Sequence, residues 1–163
     1  MKEVREGAQQ KGTMRMDSVT NNIVITFGTF DLFHIGHLRI LERAAALGDK
    51  LCVGVSSDAL NYSKKKVYPT YSQQDRMEIV QAIRCVDAVF LEESLEKKRD
   101  YLTQHNGSIL VMGDDWAGRF DEFSDIVEVV YLARTALIST SSAKNKIIEE
   151  AKIYDPVFPC SAL

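Results

Sequence analysis

Cysteine, net charge and long apolar runs are all scarce in this sequence of 163 residues, and each scarcity narrows what the protein can be. Its three cysteines form no C-x-x-C pair and are odd in number, which indicates buried or idle thiols in a reducing cytoplasm. A formal net charge of −3 argues against a nucleic-acid-binding protein, because such proteins normally carry a basic face. No apolar run approaches the roughly 20 residues that span a membrane, and residues 1–20 lack the apolar segment of a secretory signal.

The pattern of apolar residues predicts one domain of alternating strands and helices. Strands are predicted at 23–27, 51–56, 87–91, 109–112 and 127–132, and helices at 37–48, 73–84, 94–105 and 139–152. Short, mostly apolar strands that alternate with helices indicate an α/β fold. We expect a single Rossmann-like domain over residues 21–152, with a mainly parallel five-stranded sheet and helices on both faces. Residues 1–20 are polar and aperiodic, which predicts a disordered N-terminal lead, and residues 153–163 form a C-terminal tail.

The most informative segment is GTFDLFHIGH, residues 28–37, which follows the first predicted strand and opens the first predicted helix. A strand, a glycine-led turn and a helix start form an anion-binding corner, where free backbone N–H groups and the helix dipole face a phosphate. His34 and His37 can donate imidazole N–H bonds to the same phosphate, and Gly36 between them lets a bulky ligand approach the backbone. A zinc site is not expected, because no cysteine or third histidine stands at ligand spacing. The sequence therefore predicts a nucleotide site without a P-loop.

A second candidate segment, residues 134–142, lies between the last predicted strand and the last predicted helix. Arg134 carries a planar, permanently charged fork that suits phosphate oxygens. Hydroxyl side chains at Ser139, Thr140 and Ser141 crowd the helix start, where one of them must cap the helix and the others can face a ligand. Taken alone, the same pattern also fits a plain helix cap beside a surface arginine.

Two further segments follow predicted strands. The lysine run 64–66 is either a solvated loop or a mobile cationic lid that meets a triphosphate and a second phosphorylated substrate. Asp114 and Asp115 could bind hydroxyls or a hydrated metal, and Trp116, the only tryptophan, could wall a small pocket. The alternative for this segment is a turn rich in aspartate and glycine, in which Trp116 only packs.

These segments resemble the motifs of the cytidylyltransferase-like nucleotidyltransferases. GTFDLFHIGH is similar to the family's first motif, G-T/C-F-D-x-x-H-x-G-H, and residues 134–141 are similar to its second, R-T-E-G-I-S-T-T, with Ala136-Leu137 in place of Glu-Gly. Class I aminoacyl-tRNA synthetases also contain H-I-G-H, but this chain is too short for an anticodon-binding domain and lacks K-M-S-K-S. The run M-G-D-D-W-x-G-x-F-D resembles the branch of the family that acts on glycerol 3-phosphate.

The resemblance implies the HxGH nucleotidyltransferase fold and transfer of CMP from CTP to glycerol 3-phosphate or a close polyol phosphate. The products would be CDP-glycerol and pyrophosphate, formed by direct in-line displacement. Mg²⁺ is expected with CTP, bound through the phosphates and not held by protein side chains. A homodimer in the cytoplasm is expected, with no nucleic-acid or membrane partner.

The resemblance also assigns roles to individual residues. It implies catalytic roles for His34, His37, Lys66 and Arg134. Nucleotide binding is implied for the same four and for Gly28, Thr29, Phe30, Gly36, Ile138, Ser139, Thr140 and Ser141. Substrate binding is implied for Asp31, Lys64, Arg84, Asp114 and Trp116.

Two other functions stay open on the sequence alone. An adenylyltransferase acting on a sugar phosphate or a flavin would share the first motif, although such relatives usually lack the G-D-D-W run. A nucleotide-binding regulatory protein without turnover is the second alternative, and the departure at 136–137 is its only support.

Three more positions could contribute. Arg76 could lie near the phosphates or face solvent, and Lys97 or Lys98 could reach the second substrate or lie on a solvated helix face. His105 follows a polar helix face and is expected to be solvated.

Overall fold

The computed structural model describes residues 21–135 and 139–154. The predicted lead at 1–20, the motif departure at 136–137, Ile138 and the tail from residue 155 lie outside the described residues. In chain order the elements are β1 (Ile23–Gly28), α1 (Ile35–Ala45), β2 (Lys50–Ser56), α2 (Asp58–Lys65), α3 (Gln73–Gln81), β3 (Ala88–Glu92), α4 (Lys98–Gln104), β4 (Ile109–Gly113), β5 (Glu128–Leu132) and α5 (Thr140–Tyr154). Two single 3₁₀ turns, Asp114–Trp116 and Asp121–Phe123, lie between β4 and β5.

The five strands form one sheet in the order β3-β2-β1-β4-β5, and every neighbouring pair is parallel. β1 is the central strand, with Val24 opposite both Leu51 of β2 and Ile109 of β4. Parallel strands buried on both faces read as nearly continuous apolar runs, which is why the sequence shows them clearly. The predicted α/β class and the five-stranded parallel sheet are confirmed.

Each face of the sheet carries its own apolar core, because successive strand residues point to opposite faces. On one face Val24 packs with Leu41 of α1 and Val80 of α3. On the other face Ile25 packs with Leu102 of α4. The expectation of helices on both faces is therefore confirmed.

The strand order reverses beside β1, and this reversal locates the ligand edge. The chain runs outward through β1, β2 and β3 and then returns to place β4 on the other side of β1. In open parallel sheets, ligands bind at the carboxyl ends of the strands next to such a reversal. Gly28 ends β1 and Gly113 ends β4, so the GTFDLFHIGH and GDDW segments both start at this crevice.

The lysine run lies at the end of a helix, so its assignment to a loop was wrong. Ser57 caps α2 by accepting the N–H of Leu60, and Lys66 ends the helix in left-handed backbone with a φ of 57°. This helix has eight residues, and Leu60 is its only buried apolar side chain. One apolar position cannot show a helical period, which is why the sequence pattern missed it.

Other helix ends differ from the predictions by a few residues. α1 begins at Ile35, two residues early, because His34 caps it, and α4 covers only Lys98–Gln104 of the predicted 94–105. None of the helices in the described ranges has the length and apolarity that crossing a bilayer requires.

A buried arginine ties together three segments beside the crevice. Arg76 of α3 is fully buried, and all three of its guanidinium nitrogens donate within the protein. They reach the Thr29 carbonyl at 2.5 Å, the Tyr71 carbonyl at 3.1 Å and a carboxylate oxygen of Asp58 at 2.6 Å. Arg76 therefore holds the loop after β1 in place, and its donors do not point at a ligand as hypothesised.

Replacing Arg76 with methionine keeps an extended side chain and removes all of these donors. We expect Arg76→Met to lower the free energy of unfolding by about 3 kcal/mol, because two carbonyls and one carboxylate lose their partner. Urea unfolding followed by circular dichroism measures the change. Arg99→Met is the matched control, since Arg99 and Asp125 form an exposed ion pair whose loss should leave the urea midpoint almost unchanged. Equal midpoints for the two variants would contradict the structural role of Arg76.

Candidate functional site

A cavity of about 890 Å³ opens at the carboxyl ends of the central strands. Among the described residues, six basic and three acidic side chains line it, which gives the wall a formal charge of +3 in a chain of net charge −3. The basic residues are Lys64, Lys65, Lys98, Arg119, Arg134 and Lys144, and the acidic ones are Asp31, Glu92 and Asp115. Positive charge concentrated in one concave site of an acidic protein indicates a polyanionic ligand.

The two histidines form a reciprocal cap at the start of α1. His34 Nδ1 accepts the backbone N–H of Gly36 at 3.1 Å, and His37 Nδ1 accepts the backbone N–H of His34 at 3.4 Å. Their rings stack with centroids 3.8 Å apart and planes inclined by 14°. An imidazole that accepts through Nδ1 carries its proton on Nε2 when it is neutral, so this hydrogen bonding assigns the Nε2–H tautomer to both rings.

Both histidines are held in the neutral form. Burial lowers the pKa of His34, and burial together with the neighbouring His34 lowers the pKa of His37 to about 4. His34 Nε2 is shielded from solvent and has no hydrogen-bond partner within the described part of the chain. An N–H donor at the cavity without a partner is a group that a phosphate oxygen would satisfy.

The loop after β1 is shaped by an aromatic ring folded back on it. Phe30 and Leu32 have left-handed backbone, with φ of 54° and 45°. The Phe30 ring is buried and meets the His37 ring edge-on, with centroids 5.4 Å apart. A Cβ on Gly28 would lie 2.9 Å from the Phe30 ring, so glycine is required where this ring crosses the strand end. The Phe30 ring thus packs against the histidine pair.

Asp31 joins three distant segments and has both carboxylate oxygens engaged. Oδ1 accepts the backbone N–H groups of Thr70 at 2.9 Å and Tyr71 at 3.1 Å, and Oδ2 pairs with Lys144 of α5 at 2.9 Å. Burial acts to raise the pKa of Asp31, but these donors outweigh it and leave the pKa below its ordinary value. The structure therefore shows Asp31 as a link between the loop, the segment after α2 and α5.

The serine and threonine residues of the second motif lie at the same cavity. Ser139 Oγ accepts the N–H of Ser142 and caps α5, while Thr140 Oγ1 donates to the Asp31 carbonyl at 3.0 Å. Ser139, Thr140 and Ser141 all line the cavity. Ser139 therefore caps the helix, as one of these hydroxyls was expected to do, and the binding of a ligand by the others stays a prediction.

Arg134 lines the cavity from an exposed position. Its Nη2 pairs with Asp115 at 3.0 Å. The preceding carbonyl, of Ala133, accepts a hydrogen bond of 2.7 Å from Arg43 of α1. The first helix thereby helps to fix where the Arg134 segment leaves β5.

The remaining predicted residues divide into two groups. Gly28, Thr29, Gly36, Lys64 and Trp116 line the cavity together with the histidines. Lys66, Asp114 and Arg84 are not part of its wall. Asp115 occupies the place expected for Asp114, because the 3₁₀ turn at 114–116 directs the second aspartate inward. Arg84 is exposed and precedes β3 at the opposite edge of the sheet.

The comparisons with known proteins agree with this geometry. A model of the family described as cytidylyltransferase-like matches residues 25–157. The chain belongs to the cytidylyltransferase-like family. The glycerol-3-phosphate cytidylyltransferase of Bacillus subtilis (strain 168) is 50% identical over 125 residues, which are 76% of this chain and 95% of that protein. The enzyme of the same name from Staphylococcus aureus (strain NCTC 8325 / PS 47) is 43% identical over 125 residues, 76% of this chain and 93% of that protein.

A solved structure supports the fold independently. The lipopolysaccharide core biosynthesis protein from Thermoplasma volcanium GSS1 aligns with a TM-score of 0.64 at 22% identity, over 71% of this chain and 98% of that chain. At this identity the likeness concerns the cytidylyltransferase-like fold alone.

Sequence reasoning missed several polar residues that the fold brings to this cytidylyltransferase-like site. Asn61 accepts from Thr29 Oγ1 at 2.6 Å, and Ser56, Glu92 and Lys98 form a buried cluster beside it. Lys98 is buried and lines the cavity, so it does not belong to a solvated helix face. Ser56 ends the buried strand β2 and Glu92 ends the edge strand β3, both at the ligand edge, a position that could have singled them out.

The third histidine is also less exposed than expected. His105 stacks on Phe90 with ring centroids 4.0 Å apart, and burial lowers its pKa. The prediction of a solvated His105 was wrong because the residue after α4 folds back against β3.

The neutral state of His37 can be observed directly. We expect its ring resonances to titrate with a midpoint of about 4 in a proton NMR titration, because burial and His34 disfavour the charged form. His37→Asn, which keeps an acceptor near the place of Nδ1, assigns the signal. The stability contributed by neutral His37 is complete above pH 6.5, the value of an unfolded histidine, and is lost as the pH falls toward 4. A midpoint near 6.5 would contradict the proposed environment.

Proposed function

We propose that this protein transfers CMP from CTP to glycerol 3-phosphate, forming CDP-glycerol and pyrophosphate. Family membership and two relatives of that name, at 50% and 43% identity, support the reaction and its substrates. The observation that carries the assignment in this chain is the neutral, stacked histidine pair, with its unpartnered Nε2–H donor at a cationic cavity.

The triphosphate would lie across the start of α1. The Nε2–H groups of His34 and His37 would donate to oxygens of the α- and β-phosphates. The free backbone N–H groups at the start of the helix, where the helix dipole is positive, would also attract the phosphates. Neutral imidazoles suit this task, because their donor is oriented by the cap and does not depend on protonation near neutral pH. Ser139, Thr140 and Ser141 add hydroxyl and backbone donors from α5.

Arg134 and Lys66 would neutralise charge on the departing pyrophosphate. Arg134 lies at the cavity with Asp115 as its partner, and this pair would open toward the phosphates. Lys66 ends α2 outside the wall, at the boundary with the segment 67–71, so its role requires that this end of the helix moves toward the nucleotide.

The acceptor would bind beside Lys64, Lys98 and Trp116, which line the same cavity. A phosphomonoester is mostly dianionic at neutral pH, so its oxygen attacks without a general base. That oxygen forms a bond to the α-phosphorus while the bond to the β-phosphate oxygen breaks, and pyrophosphate leaves with the electron pair. No covalent enzyme intermediate is needed, because the acceptor is itself the nucleophile.

Mg²⁺ is expected to enter with the nucleotide. The ion would be held through the phosphates of the nucleotide, as the family resemblance implies. When bound, such an ion would neutralise charge on the phosphates. A homodimer in the cytoplasm remains part of this proposal on the strength of the family resemblance.

Removing either histidine should abolish most of the activity while the fold is kept. We expect His34→Ala and His37→Ala each to reduce kcat by about a hundredfold or more, the usual cost of losing one pre-aligned donor at a reacting phosphate. Pyrophosphate release with CTP and glycerol 3-phosphate measures the rate, and His105→Ala is the control outside the cavity. Turnover within a few-fold of wild type in either variant would contradict the assigned roles.

Nucleotide choice is tested with the wild-type protein. Pyrophosphate release should require both glycerol 3-phosphate and CTP, and should be far slower with ATP, GTP or UTP. Turnover with ATP in place of CTP would instead support an adenylyltransferase. Nucleotide binding without turnover, also with other polyol phosphates, would support a regulatory protein.

A further inference from the structure

A carboxylate lies at the floor of the cavity, although the proposed reaction requires no acid or base there. Glu92 ends β3 directly opposite Ser56, which ends β2. Its side chain is 2% exposed, yet it borders a cavity whose expected ligands are anions. Burying a negative charge beside polyanionic substrates costs free energy, so we expect this carboxylate to have a role in the site that offsets the cost.

Both oxygens of this carboxylate are used within the protein. Oε2 accepts the hydroxyl of Ser56 at 2.6 Å, and Oε1 accepts the ammonium of Lys98 at 2.5 Å. Glu92 therefore has no oxygen turned to a substrate, and anything it does for the reaction passes through its partners.

The partner that faces the cavity is Lys98, at the first residue of α4. Its ammonium lies 3.5 Å from the centroid of the Phe27 ring and 5.2 Å from that of Phe120, and Glu92 is its one hydrogen-bond acceptor in the described residues. An ammonium group has three donors, and Glu92 accepts from one of them in the described residues. Lys64 of α2 also lines the cavity, and the charge of Glu92 acts to raise the pKa of Lys64.

We propose that Glu92 is a positioning residue for acceptor binding, which keeps the Lys98 ammonium charged and fixed at the cavity floor, with Ser56 orienting the carboxylate. This inference rests on the proposed function, because it assigns Lys98 to the phosphate of the acceptor. Lys64, Lys98 and Glu92 together leave one positive charge, so the carboxylate holds Lys98 in place without cancelling the attraction for a dianion.

The electrostatic surroundings of Lys98 explain why a counter-ion is needed. Burial and the neighbouring Lys64 lower the pKa of Lys98, and Glu92 is the charged group that raises it. Burial and Lys65 likewise lower the pKa of Lys64, with Glu92 again acting in the opposite direction. Without the carboxylate, the buried ammonium of Lys98 and the neighbouring Lys64 would repel each other and release protons more readily.

Glu92→Gln tests the proposal, because it removes the charge and keeps the size of the side chain. The amide oxygen can still accept from Lys98, and the Ser56 hydroxyl can turn to accept from the new amide N–H. We expect the KM for glycerol 3-phosphate to rise on the order of tenfold, with a much smaller change in the KM for CTP. Glu93→Gln is the matched control: it makes the same change in net charge at the next residue, which is exposed and outside the cavity wall. Ser56→Ala, which frees the carboxylate but keeps its charge, should give an intermediate effect and serves if Glu92→Gln does not fold.

The pH profile separates positioning from a general loss of structure. Charged Lys98 binds the acceptor, so kcat/KM for glycerol 3-phosphate falls as the pH rises through the pKa of Lys98. Because Glu92→Gln lowers that pKa further, its alkaline limb should begin at a lower pH than in wild type or Glu93→Gln. Identical profiles and identical acceptor KM values in Glu92→Gln and Glu93→Gln would overturn the proposal.

A measurement without turnover keeps this result distinct from the proposed function. The ¹³Cε signal of Lys98, assigned with Lys98→Met, should titrate at lower pH in Glu92→Gln than in wild type. If wild-type protein releases no pyrophosphate from CTP and glycerol 3-phosphate, the proposed function fails. The lysine titration then still decides whether Glu92 holds Lys98 charged, and an unchanged titration would refute that role.

Discussion

The nucleotide site depends on the exchange of hydrogen bonds between His34 and His37 at the first turn of α1. Each Nδ1 accepts a backbone N–H, and this single arrangement caps the helix, stacks the rings and leaves both Nε2–H groups free of the cap. The ring of Phe30, in the left-handed loop before the cap, packs against His37. Arg76 holds the same loop through the Thr29 carbonyl. The same two side chains therefore cap the helix and, in the function proposed above, would bind the phosphates.

The charges of the cavity are arranged as pairs with a surplus. Asp31 pairs with Lys144, Asp115 with Arg134, and Glu92 with Lys98. Each carboxylate restricts a long basic side chain that would otherwise lose conformational freedom only when a ligand binds. Lys64, Lys65 and Arg119 also line the wall without a salt bridge in the described residues. The ion pairs fix the positions of the charged side chains, and the additional basic residues attract anions. The cavity is therefore both structured and cationic.

The sheet and the segment that carries His34 and His37 could be predicted from the sequence, because both depend on local sequence patterns. β4 is an uninterrupted apolar run, β1 is interrupted only by Thr26, and the motif 28–37 combines a strand end with a helix start. Other features depend on contacts between distant residues. The partners of Asp31 come from positions 70, 71 and 144, and nothing near Asp31 indicates them. Whether Asp114 or Asp115 faces inward depends on a 3₁₀ turn that two adjacent aspartates cannot reveal.

Helix α5 is attached to the rest of the domain mainly through Asp31. This weak attachment determines which part of the molecule unfolds first in local unfolding. The hydrogen bond from Thr140 to the Asp31 carbonyl spans 109 residues of chain, and most of α5 is exposed, including Ile147 and Ile148. A segment with so few buried contacts is the first to exchange its amide protons by sub-global unfolding, while the parallel sheet stays closed. A nucleotide that bridges α1 and α5 joins the least stable segment to the most stable one. Ligand binding would then be seen as slowed hydrogen exchange far from the phosphates, along the whole length of the last helix.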